Sequence, residues 1–447
     1  MARSPTSPFP RPLKSLAGLV GQARSMAVNP TGQFVGYAGA DPEKAKFFWT
    51  GGPVEVAERT WFASFVSGVT AFETDEGLVL VDTGSTAMAP ALARLLRQRS
   101  RAPVHTVVYT HGHLDHAYGL PAFLGEGQRP PRVIAQRAIT ARFDRYGRTQ
   151  AMNEAINTRQ FRGGLPEEGL PGGLRFGPPP MPPDTLYDSE FVFEVGGVRF
   201  ELYHARGETD DASWVWCPER QVLCPGDLWI WAVPNCGNPQ KVQRYPAEWA
   251  KALRAMATLR PNALCPGHGG PVVDDPERIQ LMLSETAAFL EDLVEQTVAA
   301  LNQGAPPHVD VVHQVRIPES DSPWLQPLYD EGEFIVRNIV RESAGWWTGR
   351  PSELKPAARS AIAEEIASLA GGPRRLAERA NELAAVGDFR LASHLADYAL
   401  EAAPDDKGVR DKVAAFYKRR ASSEPSLMAT NIFLAAAAYA RAGRPFR

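Results

Sequence analysis

The sequence predicts an α/β body of packed layers followed by an all-α helical region, and three observations carry that reading. From Trp61 to about Gly270, short apolar runs alternate with helical patterns such as 87–100 and 246–259, as in helices laid on sheets. A long amphipathic pattern over 276–303 then ends at Gly304, a helix stop. Beyond residue 357, about five short segments show apolar residues at i, i+3 and i+4 between Gly or Pro breaks, which reads as packed helical hairpins. The expected divisions are an arm at 1–50, rich in Gly and Pro, an α/β body at 51–275 and a helical region at 276–447.

Composition narrows the function classes. The 447 residues are 44% hydrophobic and 22% charged, which is ordinary globular usage. A net charge of −3 without a Lys/Arg cluster argues against nucleic acid as a partner. No segment approaches the ~20 apolar residues of a membrane helix. Leu16–Val20 is too short and too Gly-broken for a signal-peptide core. The expected location is therefore the cytoplasm, with no membrane partner. Cys217, Cys224, Cys236 and Cys265 lack C-x-x-C spacing, and three of them sit in or beside apolar runs. They read as small core residues.

The densest chemistry lies in Tyr109-Thr110-His111-Gly112-His113-Leu114-Asp115-His116, where three of the nine histidines and a carboxylate fall within six residues. The run follows 104–109, a buried-strand pattern. Side chains at i and i+2 of extended chain point the same way, so His111 and His113 can converge on one ion. Asp115 and His116 diverge and can serve a second ion as the backbone turns into a helix. Imidazole with carboxylate suits zinc, manganese or iron rather than calcium or magnesium.

Further along, Cys224-Pro225-Gly226-Asp227 and Cys265-Pro266-Gly267-His268 each end in a ligand-type residue placed by a Pro-Gly turn. Gly207-Glu208-Thr209-Asp210-Asp211 follows the strand-like 198–203, and Val79-Leu80-Val81-Asp82-Thr83-Gly84-Ser85 is a strand ending in D-x-G. In this order the motifs resemble the metallo-β-lactamase superfamily, whose loop reads H-x-H-x-D-H. The resemblance implies a four-layer αββα sandwich with the metals at one edge. The family usually has H-T-P-G-H-T where this chain has His204-Ala205-Arg206-Gly207-Glu208-Thr209. The alignment puts Glu208 at the ligand position, and a carboxylate there is typical of the alkyl sulfatase branch. His204 then supports the ligands from behind.

What the resemblance implies is a binuclear hydrolase. Two zinc ions per chain are expected, with iron or manganese as other candidates. His111, His113 and Glu208 would hold the first ion, Asp115, His116 and His268 the second, and Asp227 would bridge them. Asp115 and Asp227 are the expected catalytic carboxylates, and Asp82 would orient a ligand. Such a pair activates a water for attack. The implied substrate is a small sulfate ester. Another ester, a lactone or a phosphoester is the alternative, and a di-iron redox centre is a further one. Alkyl sulfatases carry N-x-x-T-x-R-G after the bridging ligand; here Asn235 keeps the Asn, while Asn238 and Gln240 stand for Thr and Arg. Asn235, Lys241 and Arg244 are the candidate anchors for the substrate's anionic group. Trp229 and Trp231, at i and i+2, either line an apolar pocket or belong to the core.

Pro323-Trp324-Leu325-Gln326-Pro327-Leu328-Tyr329-Asp330-Glu331 and Gly345-Trp346-Trp347-Thr348-Gly349-Arg350-Pro351 resemble the dimerisation domain of alkyl sulfatases. A homodimer is implied, with Trp324, Tyr329, Phe334, Trp346 and Trp347 in the interface core and the helices after 357 reaching the neighbour's site. Long alkyl sulfatases continue into a sterol-carrier-like domain that supplies an apolar surface, and nothing in these residues resembles it. The Pro/Gly-rich stretch 163–183 is expected to form a lid over the pocket.

Overall fold

A computed structural model describes Phe47, 51–170 and 175–446. The expected arm at 1–50 lies outside the described residues apart from Phe47. The first sheet runs in sequence order: β1 (Gly51–Ala57), β2 (Thr60–Ser64), β3 (Gly68–Thr74), β4 (Gly77–Val81), β5 (Val104–Val108), β6 (Arg132–Gln136) and β7 (Thr185–Tyr187). Strands β1 to β4 form an antiparallel meander, whereas β4 to β7 pair in parallel. Parallel pairing demands crossovers. They are supplied by α1 (Ala89–Leu96), the short α2 (Leu114–Ala117), and the pair α3 (Ala138–Arg148) and α4 (Gln150–Arg162).

The second sheet contains β8 (Glu190–Val195), β9 (Val198–His204), β10 (Ser213–Cys217), β11 (Val222–Gly226), β12 (Ala263–Pro266) and β13 (Val272–Val273), in the order β13-β12-β11-β10-β9-β8. Only β11 and β12 pair in parallel, across α5 (Pro246–Thr258). Phe62, Phe72, Val79, Val108, Phe200 and Val215 fill the space between the sheets, together with Cys217, Cys224 and Cys265. Residues of α1 and α3 cover the outer face of the first sheet. On the second sheet, α5 and α6 (Pro276–Asn302) do the same. The result is the expected αββα sandwich. All four cysteines are buried and free, as their apolar surroundings suggested.

Topology decides where chemistry can occur. In a parallel pair both C-terminal ends face the same way, so the residues after β4 and β5, and those after β11 and β12, emerge at one edge. Gly68 N–H donates to Gly267 O (2.8 Å) and ties the two sheets together there.

The helical region continues through α7 (Gly332–Ser343), α8 (Pro351–Leu354), α9 (Arg359–Leu369), α10 (Pro373–Ala385), α11 (Phe389–Ala402), α12 (Lys407–Ala421) and α13 (Leu427–Arg441). The last five are the five segments expected after residue 357, packed on an Ala-rich core of their own. Within the chain, α13 lies on α4. Asn431 Nδ2 donates to Gln160 O (2.9 Å), and Gly163 packs under Leu434. Among the described residues no helix is long and apolar enough to cross a membrane.

Candidate metal centre

Strand ends place the ligand-type side chains. After β5, His111 Nε2 and His113 Nδ1 approach to 2.9 Å, as the i, i+2 spacing anticipated. His113 Nδ1 lies 3.8 Å from Glu208 Oε1, and His111 Nε2 lies 3.7 Å from Asp227 Oδ2. His111, His113, Glu208 and Asp227 thus form one tight group of four. Asp115, His116 and His268 form a second, with Asp115 Oδ2 3.6 Å from both imidazoles. Asp227 belongs to both by distance, since it stands 3.3 Å from His116 Nε2 and 3.2 Å from His268 Nε2. The turn that delivers His268 packs tightly against Asp227. A Cβ at Gly267 would fall 2.0 Å from Asp227 Oδ1, so only glycine fits beside this carboxylate.

The supports are equally specific. Asp82, at positive φ (61°), lies 2.8 Å from His116 Nδ1 through Oδ2 and receives the Thr110 N–H (2.8 Å) and hydroxyl (2.7 Å). One carboxylate therefore fixes a ring and the start of the loop together. His268 Nδ1 meets Val66 O at 2.7 Å. Asp211 Oδ2 accepts the Gly112 N–H (2.7 Å), and its Oδ1 accepts Arg142 Nε (2.7 Å), so α3 is bolted to the loop between the two histidines. His204 stands apart from both groups, with Nε2 2.9 Å from Asp210 O, where it braces the Gly-Glu-Thr turn.

The residues present fit a pair of metal ions. His116 Nε2, Glu208 Oε2 and Asp227 Oδ1 are buried with no hydrogen-bond partner among the described residues. Buried polar atoms are rarely left so. Burial and neighbouring positive charge hold His111 and His113 well below the ordinary imidazole range, in the neutral form that binds metal. Burial pushes Asp227 up, but His268, His116 and His111 outweigh it and hold this carboxyl well below its usual value. Burial lowers His268, yet Asp227 and Asp115 raise it to about 9.

Two of the three candidate anchors face Glu208 instead of open space. Glu208 Oε1 receives Arg244 Nη1 (2.7 Å) and Asn235 Nδ2 (2.5 Å). Lys241 is half-buried, donates to Asn157 Oδ1 of α4 (2.7 Å), and sits 5.9 Å over the Phe176 ring. Trp229 and Trp231 belong to the core: both are buried, with ring centroids 5.2 Å apart, and Trp231 donates to Gly270 O (2.7 Å).

Residues 65–268 match the metallo-beta-lactamase superfamily, and residues 308–443 match the alkyl sulfatase dimerisation family. Residues 65–268 carry a metallo-β-lactamase domain. A linear primary-alkylsulfatase of Pseudomonas sp. (strain ATCC 19151) is 26% identical over 387 residues, covering 82% of this chain and 72% of the relative. An alkyl/aryl-sulfatase of Saccharomyces cerevisiae is 24% identical, and an (R)-specific secondary-alkylsulfatase of Pseudomonas sp. is 23% identical. This chain spans 62% and 60% of those two, less than two thirds of their length. The solved structure of a stereoselective inverting sec-alkylsulfatase from Pseudomonas sp. superposes with a TM-score of 0.75 at 19% identity, over 94% of this chain and 72% of that one. The fold is shared.

Sequence reasoning missed the wall that faces these ligands. Helix α4 buries Asn153, Asn157, Thr158 and Gln160, so it shows no apolar stripe to betray it. Gln160 Nε2 donates to the Tyr329 hydroxyl (2.5 Å), and its Oε1 receives Asn238 Nδ2 (3.1 Å). Burial and the Glu208 charge raise Tyr329 well above the ordinary phenol range, so it keeps its proton. Asp330 Oδ2 accepts the Gly237 N–H (2.6 Å), and a Cβ at Gly237 would meet Ile335 N at 2.3 Å. The segment expected as a lid is tied down where it is described. Tyr109 donates to Met181 O (2.9 Å) and Tyr118 to Gly177 O, while Phe176 packs edge-on against Tyr146 (5.0 Å).

Proposed function

We propose that the chain is a binuclear zinc hydrolase of a small sulfate ester, working as a homodimer. The single observation that supports it is Asp227, a buried carboxylate within 3.7 Å of imidazoles from both ligand groups. Zinc ions so held would supply Lewis acidity for the ester oxygens and a nucleophilic water near neutral pH.

The chain's own residues do the rest. His111, His113 and Glu208 would hold one ion, Asp115, His116 and His268 the other, with Asp227 shared. Asp115 is the most exposed of the seven ligand side chains, at 30%, which makes its edge the entry for substrate. Tyr329 accepts a hydrogen bond from Gln160 and so keeps its O–H free to donate to an ester oxygen. Lys241 brings a cation to the same wall. Relatives named alkylsulfatases support the sulfate ester over other anions.

The homodimer reading rests on the matched dimerisation family and on Trp346 and Trp347, which are 73% and 39% exposed. Large indoles so exposed suit an interface. Trp324 is buried and donates to Glu285 (3.1 Å), so it packs the chain against itself. A panel of alkyl sulfates, lactones and phosphodiesters on metal-analysed protein tests the function. Sulfate release should dominate; preferred turnover of a lactone or phosphodiester would overturn the substrate class.

A further inference from the structure

A carboxylate among metal ligands brings a negative charge that a histidine would not. In the buried centre that charge has a specific answer. Glu208, Arg244 and Asn235 are 4%, 2% and 5% exposed. Arg244 Nη1 lies 2.7 Å from Glu208 Oε1 and also donates to Asn235 O, while Asn235 Nδ2 donates to the same Oε1 (2.5 Å). Both contacts made to Glu208 converge on Oε1, and Oε2 has no hydrogen-bond partner among the described residues. The backbone of Arg244 is itself held, since Asn338 Nδ2 donates to its carbonyl (2.9 Å).

We propose that Arg244 is the counter-charge that lets Glu208 act as a metal ligand, with Asn235 aiming the carboxylate so that Oε2 faces the ion. The inference rests on the metal-centre reading above and deepens it. Arg244 is thus a positioning residue, and its cation is spent on the ligand rather than on substrate. Glu208 and Arg244 together carry no net charge, as a histidine would. They should be exchangeable as a pair and not one at a time. Removing Arg244 leaves a buried anion uncompensated, and removing the Glu208 charge strands a buried guanidinium beside the ions.

The test is a double-mutant cycle on the full chain, stripped and reloaded, with zinc affinity read by competition with a chromophoric chelator and the melting temperature of the stripped protein recorded alongside. Glu208→His and Arg244→Gln should each weaken the tighter zinc by about 10–100-fold, the range for groups supporting a ligand. The double variant should recover about tenfold over the weaker single, a coupling that independent sites do not show. Arg244→Lys keeps the charge and should stay closer to wild type than Arg244→Gln, which preserves the test if a single variant folds poorly. Wild type binding two zinc ions with strictly additive variants, or Arg244→Gln binding as tightly as wild type, overturns the proposal. Wild type binding no zinc overturns the metal-centre reading instead.

Discussion

Two regions meet at Glu208 and are built by opposite rules. The ligand edge is made of short motifs, each delivered by the end of one strand: 111–116 after β5, Asp227 after β11, His268 after β12. The wall facing it is assembled from three distant places, α4, the loop 234–245 and the Tyr329–Asp330 pair, joined by side-chain amides, a lysine and a tyrosine. The edge concentrates charge and leaves buried atoms unpaired, whereas most of the wall's polar side chains already have partners. Under the proposed function the difference separates two jobs: the edge would bind the ions, and the wall would hold what the ions act on.

The largest effect should come from breaking the edge. His113→Ala is expected to lose at least one metal per chain by elemental analysis, and activity should fall about a thousandfold or more. Within the same region, Glu208→Ala should cost more zinc affinity than His204→Ala, because the His204 ring bonds the Asp210 carbonyl and lies outside both ligand groups. A chelator competition assay gives that order directly.

Breaking the wall should hurt less, and in KM before kcat. Tyr329→Phe removes one donor while leaving the metals in place. A lost hydrogen bond to a charged oxygen, about 1.5–3 kcal/mol, should raise KM about tenfold or more at unchanged metal content. Steady-state kinetics on metal-analysed protein decide it.

A smaller effect should come from pH. Burial and the Arg244 guanidinium push Lys241 down to about 7, against the pull of Glu208 and Asp115 and with Arg142 also lowering it. The group is cationic below that value and neutral above it. KM for an anionic ester should therefore rise as pH climbs through about 7, and Lys241→Arg should flatten that rise. A pH profile with the same slope in both proteins would take Lys241 out of substrate binding.

The comparison also explains what could be read in advance. The two candidate ligand groups were legible because a metal needs several ligand types close in space, and strand ends satisfy that with close spacing in sequence, as in His111-Gly112-His113. The sandwich was legible from strand and helix alternation and from the resemblance those motifs carry. Helix α4 was not, because apart from Ile156 its buried face is Asn, Thr and Gln. The Arg244–Glu208 contact was hidden for a related reason. Nothing in the neighbourhood of Arg244 along the chain shows that it folds onto Glu208, 36 residues earlier. Trp229 and Trp231 were ambiguous at i, i+2 and resolve as core only once α5 and α6 close over them.

The smallest effect on the site itself should follow from the far surface. A Trp346→Asp, Trp347→Asp double variant should halve the mass by light scattering while the metal content stays at the wild-type value, since both indoles are exposed and Trp347 bonds the Arg350 carbonyl (2.9 Å) of its own loop. Unchanged mass would assign the two exposed indoles to some role other than self-association.

The most direct measurement of the central claim is inorganic sulfate release from an alkyl sulfate by chelator-stripped protein titrated with zinc. The expected curve starts at no turnover and saturates at two zinc ions per chain. Sulfate released before any metal is added, or none at full zinc occupancy, would contradict the account.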